Sequence, residues 1–185
     1  MTRRAFAQTT AVVATSMAIF GGSAVAAFAA GSGGVGPGGG GATPTAAPAT
    51  TSGGTFPLRG RHTFGDGIGA GRGHQGQDIL AKCGKPVVAA LSGRVSYVSY
   101  QAAAGNYVVI HGAKRQPDTV YMHLLHRASV RTGERVAAGD QLGLVGQTGD
   151  ATACHLHFED WTAPGWYAGG HAKDPLAFLR SLGGS

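Results

Sequence analysis

Two cysteines among 185 residues leave room for one disulfide at most. Beyond the first thirty residues no uninterrupted apolar run approaches the ~18 that a membrane-spanning helix needs, so the remainder is expected to be soluble. The glycines of Asp66-Gly67-Ile68-Gly69-Ala70-Gly71-Arg72-Gly73 are not followed by the GK[ST] of a phosphate-binding loop. Fifteen Lys and Arg against nine Asp and Glu give a formal charge of +6. The basic residues are dispersed, however, and no stacking-aromatic motif or DNA-binding signature accompanies them, so no nucleic-acid partner is expected. Val136-Ala137-Ala138-Gly139-Asp140 through Gly146 has the look of a carrier or phosphotransfer-like β module but lacks the lysine such a module carries at its hairpin turn. Internal repeats are missing as well.

What is present divides into three parts. Residues 1–30 read as an export signal: Arg3 and Arg4, an apolar run from Ala11 to Phe20 broken by Thr15 and Ser16, then small residues ending in Ala24-Val25-Ala26-Ala27-Phe28-Ala29-Ala30. Its richness in Ala, Gly, Ser and Thr makes it a poor permanent span, so cleavage near Ala26 to Ala30 is expected, with no stable membrane insertion afterwards. Thr2-Arg3-Arg4-Ala5-Phe6 fits a twin-arginine signal and an ordinary one alike, and both routes stand. Residues 31–55, almost wholly Gly, Ala, Pro, Ser and Thr, cannot bury enough apolar surface to offset the entropy of ordering and read as a linker.

Residues 56–185 carry the globular pattern. Short apolar, β-branched or aromatic runs at Val87 to Leu91, Arg94 to Tyr100, Asn106 to His111, Thr119 to Leu124, Gln141 to Val145 and His155 to Trp161 are punctuated by Gly, Pro and Asp. This predicts a mainly β, antiparallel domain. One short helix fits at Pro175 to Leu182, with Asp174 as cap and Pro175 at the first helical position.

Two segments carry metal chemistry. In Cys154-His155-Leu156-His157-Phe158-Glu159 strand alternation sends both imidazoles to one face and Leu156 and Phe158 to the other. In His74-Gln75-Gly76-Gln77-Asp78 the histidine and aspartate are an even number apart, so an extended segment points both one way, and Gly76 leaves room for an ion. Three ligands drawn from His, His and Asp, with water in the fourth place, is the arrangement of a catalytic zinc site rather than a structural one. His123, in Val120-Tyr121-Met122-His123-Leu124, lies in a third strand-like run, where a histidine bonded to backbone is the plainer reading until these partners are considered.

With these motifs in view, the stretch from Phe56 to Leu182 resembles the lysostaphin-type (LytM-domain) zinc metalloendopeptidases, which cut peptide bonds in bacterial peptidoglycan. Gly84-Lys85-Pro86-Val87-Val88-Ala89-Ala90, Gly105-Asn106-Tyr107-Val108-Val109-Ile110 and Gly139-Asp140-Gln141-Leu142-Gly143-Leu144-Val145-Gly146-Gln147-Thr148-Gly149 add to the resemblance. It implies one zinc ion held by His74, Asp78 and His157, two catalytic histidines that are not ligands, His123 and His155, and a curved antiparallel, β-sandwich-like domain with an active-site groove. It further implies peptidoglycan stem or cross-bridge peptides as substrate and a secreted, wall-associated, monomeric protein. A non-catalytic LytM-type module that binds wall or activates another hydrolase is the alternative, and such modules usually lose residues that this chain keeps.

The remaining residues divide more evenly. Arg72 matches an arginine common in the family before the first ligand and is a candidate contact for a substrate carboxylate. Asn106 is a candidate substrate contact or merely a turn residue. Glu159 shares the His155/His157 face and is a candidate support behind a metal ligand, yet a solvated or salt-bridged glutamate is the plainer reading. His62, His111, His126 and His171 read as surface residues. Cys83 and Cys154, in a chain sent to an oxidising compartment, are expected to pair; the family often has proline at the second position. Removing Arg3 and Arg4 from the +6 leaves about +4, which favours an anionic cell wall.

Overall fold

The computed structural model describes residues 53–71, 73–113, 116–166 and 168–183. The expected export signal, nearly all of the linker, and Arg72 lie outside these residues. Ten strands and one short helix follow in order: β1 (Thr63–Phe64), β2 (Gln77–Leu80), β3 (Pro86–Val88), β4 (Gly93–Gln101), β5 (Gly105–Gly112), β6 (Asp118–Leu124), β7 (Arg135–Val136), β8 (Gln141–Leu144), β9 (His155–Trp161), β10 (Ala172–Lys173) and α1 (Leu176–Ser181). The domain is thus mainly β and antiparallel, with the strand-like runs of the sequence each on a strand or overlapping one.

Eight strands form one open sheet in the order β1-β2-β9-β6-β5-β4-β7, with β10 also on β9, while β3 and β8 form a separate ribbon. The main core lies between them: Val87, Leu142 and Val145 from the ribbon side meet Ile79, Val95, Val108, Ile110, Tyr121, Leu156 and Phe158 from the sheet. Tyr121 crosses this core, its hydroxyl accepting from the Ala90 N–H at 2.7 Å and lying 3.1 Å from Thr119 Oγ1. A second cluster of Ala104, Tyr107, Val109, Val120 and Trp166, with Met122 and Trp161 against it, covers the other face. Apolar contact on both faces explains why β5 and β6 are apolar without clean alternation.

Two pairings position the site. Asp78 of β2 stands opposite His157 of β9, and Met122 of β6 opposite His157 from the other side, so the HxH strand lies centrally between the two other segments that matter. The close approach of neighbouring backbone requires glycine here. A Cβ at Gly76 would strike the Phe158 carbonyl oxygen and stand 2.9 Å from His157 Nε2, so this glycine serves strand approach rather than room for an ion.

Cys83 and Cys154 form a disulfide across 71 residues, beside the point where β2 and β9 pair at Leu80 and His155. The chain-entropy model assigns a loop of this length about 4 kcal/mol. Reduction is therefore expected to lower the melting temperature by roughly 10 °C or more. Differential scanning calorimetry with and without reductant checks this, and an unchanged transition would contradict it.

The helix forms close to where the sequence placed it. Pro175 occupies the N-cap rather than the first helical position, and Asp174 Oδ1 accepts the Leu176 N–H at 2.9 Å. Among the described residues no helix is long and apolar enough to cross a membrane.

Candidate active site

Alternation along β9 turns His155, His157, Glu159 and Trp161 toward one cavity of about 490 Å³, while Leu156 and Phe158 enter the main core. His74, Asp78 and His123 line the same cavity. All five residues expected from the motifs are thus brought together, from three separate stretches of chain.

His74 is not on a strand. It closes the glycine-rich loop before β2, where its N–H bonds the Ala70 carbonyl and its own carbonyl accepts from Gly69. Gln77, fully buried, ties the loop down by donating its side-chain amide to the carbonyls of Gly65 and Asp66, each at 3.0 Å.

His74 Nε2, Asp78 Oδ1 and His157 Nδ1 form a triangle with every edge 3.0 Å. Among the described residues these three make a group able to hold a metal ion. Hydrogen bonds on the far side of each ring decide the chemistry. His74 Nδ1–H donates to the Gly67 carbonyl at 3.0 Å, and His157 Nε2–H donates to Glu159 Oε1 at 3.1 Å. Each ring therefore turns a lone pair inward, and with the Asp78 carboxylate three electron-rich atoms face one another. Such a set demands a proton or a cation at its centre. Donors sharing a tetrahedral zinc at about 2.0–2.1 Å stand about 3.3 Å apart, so the spacing fits that ion.

Electrostatics at the site follow from the same contacts. Burial alone would depress the His157 pKa, but the bonds to Asp78 and Glu159 outweigh it and raise it to about 9. Burial tends to raise the Asp78 carboxyl, yet the bond to His157 and the charges of His155, His157 and His74 hold it below its ordinary value.

His123 and His155 stand apart from the triangle. His155 Nδ1–H donates to the Ala153 carbonyl at 2.9 Å, and its Nε2 lies 3.6 Å from Asp78 Oδ1. His123 Nδ1–H donates to the Thr148 carbonyl at 2.8 Å, leaving Nε2 as its acceptor, and the two rings are 4.6 Å apart between centroids. Burial lowers the His123 pKa to about 4, so this imidazole is uncharged at neutral pH. Its backbone has φ of 62°, the left-handed region that a non-glycine residue enters at a cost.

Thr148 sustains that conformation. Its hydroxyl donates to the Leu124 carbonyl at 2.8 Å and accepts the Asn106 N–H at 3.0 Å. Gly105, at φ of 65°, lies so close that a Cβ would strike Thr148. Asn106 donates its side-chain amide to the Leu124 carbonyl at 3.3 Å and is not among the described residues lining the cavity. Thr148 lies in the family-like stretch from Gly139 to Gly149, but its carbonyl, which does the work, carries no residue-type signal. Glu159, for which a solvated or a salt-bridged glutamate is the plainer expectation, is not solvated but 3% exposed, and it is paired with His157. Of the histidines expected at the surface, His126, His111 and His171 are exposed, whereas His62 is half-buried and stacked on Phe56 at 4.3 Å.

These shifts set a pH dependence. Metal-free protein is expected to be most stable near pH 6.5, the ordinary histidine value. As pH falls from 6.5 toward 4 the unfolded chain takes a proton that folded His123 refuses, and stability declines. As pH rises from 6.5 through 9 folded His157 gives up the proton that stabilised it, and stability declines again. His123→Ala should remove the acid limb and bound zinc the alkaline one. Thermal melts from about pH 4 to about pH 10, with and without chelator, check both signs.

Comparison with known proteins agrees with this geometry. A family model described as peptidase family M23 matches residues 72–175. The chain is 36% identical over 134 residues to the glycyl-glycine endopeptidase ALE-1 of Staphylococcus capitis, covering 70% of this chain and 33% of that one. It is 43% identical over 88 residues to the peptidoglycan DD-endopeptidase ShyC of Vibrio cholerae, covering 48% and 20%. Across such curated relatives the chain spans between 20% and 33% of their length. Among solved structures, the catalytic domain of the antimicrobial peptidase lysostaphin from Staphylococcus simulans is similar at a TM-score of 0.58 and 31% identity, over 64% of this chain and 92% of that one. A zinc-containing peptidase from Vibrio cholerae is similar at 0.57 and 28%, over 66% and 39%.

Proposed function

The chain belongs to peptidase family M23, and from that premise we propose that it is a secreted zinc endopeptidase hydrolysing peptide bonds of bacterial peptidoglycan, in its stem or cross-bridge peptides. The observation that carries the reading is the triangle of inward lone pairs on His74, Asp78 and His157, set in the cavity wall beside two further histidines. Relatives whose names specify glycyl-glycine and peptidoglycan endopeptidase activity support the substrate class.

His74, Asp78 and His157 would hold the zinc, which when bound polarises the scissile carbonyl and lowers the pKa of its water toward ~7. The chain's own residues do the rest. Uncharged His123, its tautomer fixed by the Thr148 carbonyl, offers Nε2 as acceptor for the proton of the attacking water. His155, fixed by the Ala153 carbonyl, presents Nε2 beside Asp78, at the place where a proton would be passed to the oxygen of the tetrahedral species. Trp161 and Trp166 wall the cavity and restrict water around the substrate. A groove beside an open antiparallel sheet suits an extended peptide. Asn106 acts through Leu124 and Thr148 as a positioning residue, and Arg72 is assigned to a substrate carboxylate. Export places the enzyme outside the cytoplasm, where its positive charge favours the anionic wall.

The test is digestion of purified sacculi with the zinc-loaded protein, followed by mass spectrometry of the products. New amino and carboxyl termini within wall peptides, lost on chelation, are expected. Intact sacculi after prolonged incubation with zinc-loaded protein would overturn the proposal.

A further inference from the structure

Glu159 is a carboxylate in a place where carboxylates rarely sit. It is 3% exposed, and burying an ionised carboxyl is unfavourable unless both oxygens find donors. Both do. Oε1 accepts from His157 Nε2–H at 3.1 Å and Oε2 accepts from the Trp161 indole N–H at 2.7 Å. Residues 157, 159 and 161 alternate onto one face of β9, so one side chain links a member of the ligand triangle to an aromatic wall two residues further along.

The geometry leaves this carboxylate little freedom. A Cβ at Gly76 would stand 3.0 Å from Glu159 Cγ, so the segment between the ligands His74 and Asp78 lies directly over it. An acceptor-only carboxylate fixes His157 as the Nε2–H tautomer, because the ring must donate on that side, and this directs the Nδ1 lone pair at Asp78 and His74. Trp161 in turn packs against the second apolar cluster. It borders both the main cavity and an adjoining one of about 450 Å³ that also touches His74 and His171. An indole held by its single donor cannot turn away without leaving a buried oxygen unsatisfied.

Resting on the zinc-peptidase reading above, we propose that Glu159 is a positioning residue that sets the donor state of His157 with one oxygen and the place of Trp161 with the other. One carboxylate thus serves the metal ligand and the cavity wall through separate oxygens.

The two oxygens can be separated by substitution. Glu159→Ala removes both contacts. Glu159→Gln keeps the volume, and its amide oxygen still accepts from His157 while its NH₂ faces the indole donor-to-donor. Zinc affinity of the folded protein is read by competition with a chelating dye. Trp161 is read by acrylamide quenching in zinc-free protein on a Trp166→Phe background, where it is the sole tryptophan, since the chain has two. Glu159→Ala is expected to weaken zinc binding by roughly 10–100-fold and Glu159→Gln by less than about tenfold. Quenching of Trp161 should rise in both. Trp161→Phe should retain zinc affinity close to that of the parent. A Glu159 with a purely structural role would lower the melting temperature and leave affinity and quenching of the folded protein unchanged, which would overturn the proposal. A parent chain that binds no zinc would overturn the peptidase reading and this inference together; a zinc-binding parent matched by Glu159→Ala would overturn this inference alone.

Discussion

Asp78→Ala, His74→Ala and His157→Ala are each expected to abolish zinc retention and wall hydrolysis together while the sheet stays folded. The triangle has three edges of 3.0 Å, and a zinc site reduced from three protein ligands to two loses both charge balance and its fixed geometry. Asp78 is the sharpest case, since it contributes the only carboxylate among the three. Folding survives because Asp78 and His157 occupy the cavity face of β2 and β9 and His74 the loop before β2, whereas Ile79, Leu156 and Phe158 bury the opposite face in the main core. The measurement is metal content after dialysis beside the sacculus assay. Full activity with stoichiometric zinc in any of the three would show the ligand set to be misassigned.

His123→Ala and His155→Ala form the second large effect, with the opposite signature. Zinc should remain, and turnover should fall roughly 10²-fold or more, the scale of losing a general base or an oxyanion donor. Neither ring belongs to the triangle. Each is held by a backbone carbonyl, of Thr148 or Ala153, rather than by a ligand residue. The loss should fall on kcat more than on KM, because the groups act on the reacting atoms and not on the length of the peptide. Departure of the metal from either variant would recast that histidine as a ligand.

Much of this site was legible because period-two alternation translates directly into a face. His155 and His157 could be placed on one side of a strand, and Leu156 and Phe158 on the other, from spacing alone. Even spacing is a weaker guide at His74, which lies on no extended strand. It sits in a loop, and its placement comes from Gly67, Ala70 and the buried Gln77 rather than from strand geometry. Gly76 was read as space for an ion and is instead the point where two backbones meet. Thr148 could not be found from residue type, since a backbone carbonyl is common to all residues and only the fold says which one faces a histidine. The burial of Glu159 was hidden for a related reason, although a salt bridge was among its expected roles. Burial depends on neighbours distant in sequence, and a glutamate on the cavity face of a central strand has nowhere to meet solvent once Gly76 covers it. The left-handed backbone of His123 was equally invisible: it lies where the β5–β6 register shifts, Met122 and His123 both standing between the Asn106–Leu124 and Val108–Tyr121 pairs that only Tyr107 separates on β5.

Four consecutive same-face positions of a single strand, His155, His157, Glu159 and Trp161, line the cavity together. A one-residue slip in the register of that strand would exchange every one of them with a core residue at a stroke. Chemistry in this protein is therefore inherited as a block and cannot be adjusted one position at a time by changes of length. The glycine-rich approach to His74 and the turn from Thr162 to His171 carry no such constraint, although both border the adjoining cavity. Variation in what the cavities admit has its room in those two loops, while the composition of the main cavity's wall is locked to the register of one strand.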